Sequence, residues 1–332
     1  MWALLLAMTG PSQAQDLVNA ELEDGFEFAV ALGADLGNRR FSACTGSLIT
    51  PEIILTAAHC SADLPMDVVV LAGRAFFGPN LDDAVTVGFS DGWIHPDYVP
   101  LQNGIGGTLG RNDVGILVLS EPVDFVEPVW IATASIDDAA DGAVVTSVGF
   151  GVTDPDGGGS GIKRSAELTV DSVDSTFVYS SSSTNVDGAN VCSGDSGGPQ
   201  VYWDGERWIQ WAVHSWADVS CAAQSGSTRV DTVSEWVLDQ IEDVHGSRDR
   251  CEVWGLYGDG VCDLDCEVED VDCLDPAEAS YHPPEASGEK ASGCNTVSRG
   301  AGWAVFALLG IAGRMRRRCS VDGVCLAPRR DT

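Results

Sequence analysis

Three short stretches of the chain carry residue types that can perform nucleophilic catalysis. His59 lies in the run Leu-Thr-Ala-Ala-His-Cys, Asp113 in Asn-Asp-Val-Gly-Ile-Leu-Val-Leu, and Ser196 in Cys-Ser-Gly-Asp-Ser-Gly-Gly-Pro. A serine hydroxyl is a poor nucleophile at its ordinary pKa, so it needs an imidazole to accept its proton. A buried carboxylate must in turn hold that imidazole in the correct tautomer. The three stretches therefore supply the side chains for attack on a carbonyl carbon.

In residue identity and in the order His, Asp, Ser, the three stretches together resemble the chymotrypsin-like (trypsin-like) serine proteases, from about Leu17 to Glu242. The resemblance implies that Ser196 is the nucleophile, His59 its general base and Asp113 the carboxylate that orients the ring. It also implies that the backbone N–H groups of Gly194 and Ser196 form the oxyanion hole, where each donor lowers the barrier by roughly 3–4 kcal/mol. Each stretch alone would not indicate catalysis. Gly-Asp-Ser-Gly-Gly, for example, is often only a turn.

The resemblance also implies two disulfides and a substrate pocket around these residues. Cys44 is expected to pair with Cys60 beside the histidine, and Cys192 with Cys221 across the pocket. In the chain-entropy model, closing the first of these loops stabilises the fold by roughly 3 kcal/mol. The strand that begins at Ser215 is expected to pair with the substrate backbone. The pocket residues implied in this way are Asn190, Ser193, His214, Ser215, Trp216 and Ala217.

The pocket residues favour a specificity different from that of trypsin. Asn190 stands six residues before the nucleophile, at the expected base of the pocket, where trypsins have an aspartate. A neutral amide does not neutralise Lys or Arg. In glutamate-specific relatives a histidine precedes the substrate-pairing strand, so His214 with Ser193 resembles a carboxylate-binding pair. Two interpretations stay open: a histidinium that donates to Glu or Asp of the substrate, and a neutral His214 that fills the pocket wall.

The N-terminal segment 1–16 is predicted to be a signal or pro segment. The short apolar run Trp2–Met8 precedes small and polar residues, but the usual positive leader is missing, and the alternative is the apolar start of a mature domain. Trypsin-like zymogens are cut to free an apolar residue whose α-amine pairs with the aspartate before the nucleophile. Here that aspartate is Asp195, and we expect Leu17 to become the mature N-terminus. A cut after Asp16 fits self-activation by an acid-preferring protease.

Short β-type runs separated by Gly, Asp, Asn and Pro clusters fill the region that holds these motifs. Such closely spaced strands favour an all-β fold. The resemblance implies two six-stranded antiparallel β-barrels with the active site between them. Val233, Trp236, Val237 and Ile241 recur at helical spacing and predict a C-terminal helix. The expected strands are 28–32, 46–55, 68–73, 114–119, 143–148, 166–173, 199–203 and 208–215.

The composition narrows the class of protein. Eighteen Lys and Arg against 50 Asp and Glu give a net charge of −32, which repels phosphate backbones and excludes nucleic acid as an expected partner. The content of apolar residues, 44%, is that of a globular chain and excludes wholesale disorder. Eleven cysteines favour an exported, oxidising setting over the cytosol.

A small acidic module with four cysteines is predicted at 246–275. Its cysteine spacing, C-x10-C-x3-C-x6-C, is unusual for zinc, and an oxidising setting favours two disulfides. The run from Tyr257 to Asp263 resembles the calcium-binding repeats of Notch type, which have six cysteines. Two interpretations stay open: a bound Ca²⁺, and a solvated acidic knot without an ion. The carboxylates considered for Ca²⁺ are Asp259, Asp263, Asp270 and Asp272. The expected chemistry itself requires no cofactor.

The end of the chain resembles the C-terminal sorting signals of myxobacteria and related bacteria. Cys294 follows a glycine, and an apolar run at 301–313 leads into an arginine cluster. This run is shorter than the roughly 20 residues that span a bilayer, so we expect transient membrane engagement and processing near Cys294. The expected organisation is a signal or pro segment at 1–16, a protease domain at 17–245, the acidic module at 246–275, a linker at 276–293, a sorting or membrane segment at 294–318 and an unassigned tail at 319–332.

Taken together, the sequence predicts a serine endopeptidase that a bacterium exports and secretes or displays at its surface. We expect a monomer that acts on protein or peptide substrates. The alternative from another class is a catalytically silent homologue that serves as a binding or adhesion module of the cell envelope.

Overall fold

The computed structural model describes residues 20–62, 64–100, 110–153, 157–263, 266 and 268–273. The chain divides into two compact units, 1–281 and 282–332, and every described residue belongs to the first. Leu17, the predicted segment 1–16 and the sorting segment 294–318 therefore lie outside the described residues. Within the described ranges, no helix has both the length and the apolar composition to cross a membrane.

Strands dominate the described residues. In chain order they are β1 (Glu21–Leu22), β2 (Ala29–Asp35), β3 (Arg40–Thr50), β4 (Ile53–Thr56), β5 (Gly73–Phe77), β6 (Val85–Val87), β7 (Phe89–Ile94), β8 (Gly115–Leu119), β9 (Trp130–Ile131), β10 (Val144–Gly149), β11 (Arg164–Thr169), β12 (Ser172–Val173), β13 (Phe177–Ser181), β14 (Pro199–Trp203), β15 (Trp208–Ala217) and β16 (Gln224–Arg229). The α-helices are α1 (His59–Ala62), α2 (Met66–Ala72), α3 (Asp137–Ala140), α4 (Ser234–His245) and α5 (Arg250–Trp254).

The strands form two curled sheets. In the described residues, the first sheet has the order β6-β5-β2-β3-β4-β8-β7, and the second has the order β1-β11-β10-β14-β15-β16-β13-β12. Pairing is antiparallel throughout, except that β9 joins β15 in parallel. This confirms the predicted all-β fold of two antiparallel barrels. Each sheet holds more strands than the six expected, and in the second sheet the two-residue strands β1 and β12 lengthen the edges.

One apolar core joins the two sheets. Leu48, Ile54 and Ile116 of the first sheet belong to the same buried cluster as Val201 and Val213 of the second. The second half of β3 is buried at every position. One face of the strand points into the core that the curled first sheet encloses, and the other face contacts the second sheet. The strands that meet in this way carry the catalytic motifs at their ends.

The predicted strand at 68–73 is wrong, because the chain forms α2 there and enters β5 only at Gly73. The run Val-Val-Val-Leu is continuously apolar, and periodicity cannot separate a helix from a strand in such a run. Pro65 stands just before the helix, where its missing N–H is not needed. The predicted C-terminal helix is confirmed as α4, which buries Val237 and Ile241.

The acidic module forms two disulfides, Cys251–Cys266 and Cys262–Cys273, as the oxidising interpretation predicted. It contacts the protease region through an aromatic and cationic cluster. The Trp254 indole N–H donates to the Ile49 carbonyl of β3 at 3.2 Å, and its ring lies edge-on to Trp130 at 5.0 Å between centroids. The Arg250 guanidinium lies 3.8 Å from the centroid of the Trp130 ring. Helix α5 is thereby fixed against β3 of the first sheet and against β9, which pairs with the second sheet.

Replacing Trp254 with alanine should loosen this contact. We expect Trp254→Ala to lower the free energy of unfolding by about 2 kcal/mol, because a half-buried aromatic side chain and its hydrogen bond are lost. Urea unfolding followed by intrinsic fluorescence measures this change. Trp203→Ala is the matched control, since Trp203 is 46% exposed. Equal losses in the two variants would contradict the anchoring role of Trp254.

Candidate active site

The pairing of β4 with β8 brings the predicted histidine and aspartate together. Thr56 at the end of β4 pairs with Gly115 of β8, so His59 and Asp113 flank the same edge. His59 Nδ1 lies 2.7 Å from one Asp113 carboxylate oxygen, and the His59 backbone N–H donates to the other at 2.9 Å. The carboxyl side chain is 5% exposed and the imidazole 34% exposed. The buried carboxylate thus orients a ring that stays open to the cleft.

Asp113 receives a further hydrogen bond that the sequence analysis did not assign. The Ser215 hydroxyl donates to the same carboxylate oxygen as the imidazole, at 2.6 Å. Ser215 was predicted only as part of the substrate-pairing strand, and it does lie in β15. Three donors therefore compensate the desolvation of the Asp113 carboxylate and fix its position.

The nucleophile motif forms a tight turn beside His59. The Ser196 carbonyl accepts the Thr45 backbone N–H at 2.8 Å, and Cys60 Sγ lies 3.5 Å from that carbonyl oxygen. The predicted disulfides Cys44–Cys60 and Cys192–Cys221 are both present. The hydrogen bonds found in the described ranges do not include one between the Ser196 hydroxyl and His59. Such bonds are commonly long before substrate binds.

The two predicted oxyanion donors are available. Gly194 has a φ of +95°, which glycine adopts readily. A Cβ at this position would lie 2.9 Å from the Gly151 Cα, so the turn has no room for a side chain. Within the described part of the chain, the N–H groups of Gly194 and Ser196 donate to no partner. They can therefore donate to a developing negative oxygen.

Asp195 is a buried carboxylate in a nearly closed environment. It is 1% exposed and accepts N–H bonds from Gly151 and Cys192, each at 2.8 Å. Burial raises the pKa of its carboxyl to about 7. The interaction with Gly151 was not foreseen, since no local pattern links the two residues. The pairing of Asp195 with a Leu17 α-amine stays a prediction, because Leu17 lies outside the described residues.

The pocket beside Ser196 contains most of the predicted specificity residues. Ser193, His214, Trp216 and Ala217 line it, together with residues that include Val191 and Asp218. Asn190 is fully buried and does not line this pocket. Its amide oxygen and nitrogen have no hydrogen-bond partner among the described residues.

His214 is neutral in the free protein. Burial lowers the pKa of its imidazole to about 3. Its Nδ1 lies 3.1 Å from the hydroxyl of Ser227 in β16, a partner that the sequence analysis missed because it lies on another strand. Its Nε2 has no partner within the described residues. Of the two interpretations of His214, this geometry favours the neutral one.

Comparison with known proteins decides the family. The family model described as "Trypsin" matches residues 26–237. The chain belongs to the trypsin family of serine proteases. The match spans both sheets and includes the three predicted catalytic positions, 59, 113 and 196. The described residues form four disulfides, which are typical of extracellular proteins.

Three relatives illustrate this membership. A protein named "Trypsin" from Saccharopolyspora erythraea is 30% identical over 184 residues, covering 52% of this chain and 75% of the relative. "Brachyurin" from Leptuca pugilator is 30% identical over 210 residues, with 59% and 87% covered. "CLIP domain-containing serine protease B10" from Anopheles gambiae is 29% identical over 241 residues, with 62% and 63% covered. A serine protease of this family takes peptide substrates.

The carboxylates considered for Ca²⁺ serve mainly as backbone acceptors in this family member. Asp270 accepts the N–H groups of Gly258, Asp263 and Asp272, and Asp272 accepts that of Gly260. In the described residues these carboxylates do not converge as a group of three ligands. Calcium binding by this module stays a prediction, and no chemical step is assigned to an ion.

The buried Asp195 carboxyl should make the stability of the unprocessed chain depend on pH. An acid whose folded pKa is raised contributes most stability below its unfolded pKa of about 3.8, and this contribution is lost as pH rises through about 7. We expect unprocessed Ser196→Ala protein to lose free energy of unfolding across that window, measured by urea denaturation. Adding Asp195→Asn should flatten the profile. An unchanged slope in the double variant would show that other groups cause it.

Proposed function

We propose that this trypsin-family chain is an active serine endopeptidase that cleaves peptide bonds through an acyl-enzyme on Ser196. The observation that carries the proposal is the His59–Asp113 pair at 2.7 Å beside a turn with two available N–H donors. Asp113 accepts a hydrogen bond from Nδ1–H of His59 and so keeps the ring proton on Nδ1. Nε2 is then unprotonated and can act as a base. We expect this chemistry to require water but no cofactor.

Each step then has an assigned residue. As the Ser196 oxygen attacks the scissile carbonyl carbon, its proton passes to His59 Nε2. The carbonyl oxygen becomes negative and accepts the N–H groups of Gly194 and Ser196. The C–N bond breaks when His59 returns the proton to the leaving amine. A water molecule then repeats the attack on the ester, with His59 again as the base, and frees the new carboxyl terminus.

We further propose that the pocket selects an acidic residue before the scissile bond. Ser193 and His214 both line the pocket, and both side chains can donate to a carboxylate. A neutral imidazole whose Nδ1 accepts the Ser227 proton carries its own proton on Nε2, and this N–H can donate to a carboxylate. Asp218 at the pocket rim is already satisfied by hydrogen bonds from Ser220, Ala223 and Gln224.

Export, removal of residues 1–16 and surface display complete the proposed function. Burial of Asp195 supports processing at Leu17, because a new α-amine would give the carboxylate an ion-pair partner, and the described residues place no cationic group in direct contact with it. N-terminal sequencing of the exported protein tests this step. A mature terminus well upstream of Leu17 would overturn it.

An active-site probe tests catalysis directly. A fluorophosphonate should label the processed protein, because the activated Ser196 oxygen attacks phosphorus and expels fluoride. We expect Ser196→Ala to abolish labelling and Ser135→Ala, at an exposed serine, to leave it unchanged. In-gel fluorescence measures both. Absence of labelling in the correctly processed protein would favour the silent binding module.

A peptide-library digest tests the pocket. We expect cleavage after Glu or Asp, and a His214→Val variant should lose at least about tenfold in kcat/KM on glutamyl substrates relative to glutaminyl ones. Because His214 is neutral, this preference should hold between about pH 5.5 and 8 rather than fall near pH 6.5. Ser183→Ala, outside the pocket, is the control. A library profile without acidic residues would end the proposal.

A further inference from the structure

Thr45 lies where the first sheet meets the nucleophile turn. It is the sixth residue of β3, it follows Cys44 of the Cys44–Cys60 disulfide, and it is fully buried. Its backbone N–H donates to the Ser196 carbonyl at 2.8 Å, and its hydroxyl donates to the Gly194 carbonyl at 2.9 Å. One residue therefore holds the first and the last carbonyl of the segment that carries both oxyanion donors.

A third contact fixes the direction of the hydrogen bond made by the Thr45 hydroxyl. The Phe150 backbone N–H lies 3.1 Å from the Thr45 hydroxyl oxygen and can only donate. The hydroxyl oxygen accepts this bond, so its single proton goes to the Gly194 carbonyl. Phe150 precedes Gly151, whose N–H binds the Asp195 carboxylate. The hydroxyl thus connects the oxyanion segment to the segment that surrounds Asp195.

The geometry of Gly194 explains what this connection does. With φ at +95°, Gly194 occupies a region from which rotation of its peptide units would turn the N–H away from the oxyanion site. The Gly194 N–H lies in the Ser193–Gly194 peptide plane, whose carbonyl accepts the Val152 N–H at 2.8 Å. The Thr45 hydroxyl holds the next peptide plane through the Gly194 carbonyl, so both planes that flank Gly194 are fixed. The backbone bond from Thr45 could be made by any residue except proline, whereas the bond to Gly194 requires a hydroxyl.

We propose that the Thr45 hydroxyl is a positioning group for the oxyanion hole. It does not touch the substrate. It holds the Gly194–Ser196 segment in the conformation that aims both N–H groups at the developing negative charge. This inference rests on the proposed function, because an oxyanion hole has meaning only if Ser196 attacks a carbonyl.

The test removes the hydroxyl without changing the shape of the side chain. Thr45→Val leaves the Gly194 carbonyl and the Phe150 N–H without their partner, while Thr45→Ser keeps the hydroxyl. Ser47→Ala is the matched control, because Ser47 is a fully buried hydroxyl on the same strand that bonds to Gln210 at 2.7 Å and not to the nucleophile turn. Urea unfolding confirms that each processed variant is folded.

The decisive measurements concern the oxyanion itself. We expect Thr45→Val to lower kcat by at least about tenfold with KM within about twofold, since the lost interaction acts in the transition state. In an adduct with a ¹³C-labelled peptidyl chloromethyl ketone, carrying the residue that the library prefers, the pKa of the hemiketal oxyanion should rise by about 1. Thr45→Ser should retain at least about a third of kcat, and Ser47→Ala should leave the oxyanion pKa unchanged.

The outcomes separate the two proposals. If the wild-type protein forms no adduct and shows no turnover, the proposed function fails. If the wild type is active but Thr45→Val keeps its kcat and its oxyanion pKa, the positioning role of Thr45 is wrong. Equal effects of Thr45→Val and Ser47→Ala would also overturn it, because they would report only a loss of buried hydrogen bonding.

Discussion

The close approach of the nucleophile turn to both sheets is the constraint on which the site depends. A Cβ at Gly197 would lie 2.3 Å from the Thr45 carbonyl oxygen, and one at Gly198 would lie 2.5 Å from that of Val148. The turn is therefore held between β3 on one side and β10 on the other. Because both sheets share one apolar core, the positions of the imidazole and of the oxyanion donors are set by the same packing.

The sequence predicted the parts of the site that depend on residue type. His59, Asp113 and Ser196 stand in motifs that can be recognised from residue type and order, and the cysteines beside His59 and Ser196 are paired as the resemblance implied. The interactions that hold these residues were not predictable. The Thr45 hydroxyl and the Ser215 hydroxyl bond to residues more than 100 positions away, and an ordinary Thr or Ser in a strand gives no local signal of such a partner.

The helices also divide into those that the sequence predicts and those that it does not. Helix α4 was predicted because its apolar residues recur at a regular helical spacing, while α2 was mistaken for a strand because its run is apolar throughout. Charge is the clearest case of a property that depends on the fold. The residue type of His214 is compatible with a cation or a neutral donor, and its burial beside Ser227 favours the neutral form.

The proposed preference for acidic residues would make the protein's own acidic chain a potential substrate. A segment reaches the catalytic cleft only in an extended form that can pair with the strand of the enzyme. Asp270 is held by three backbone N–H groups inside a loop closed by two disulfides, so it cannot be drawn out in this way. Under the proposed specificity, the disulfide-closed turn around Asp270 would resist self-digestion without any inhibitor.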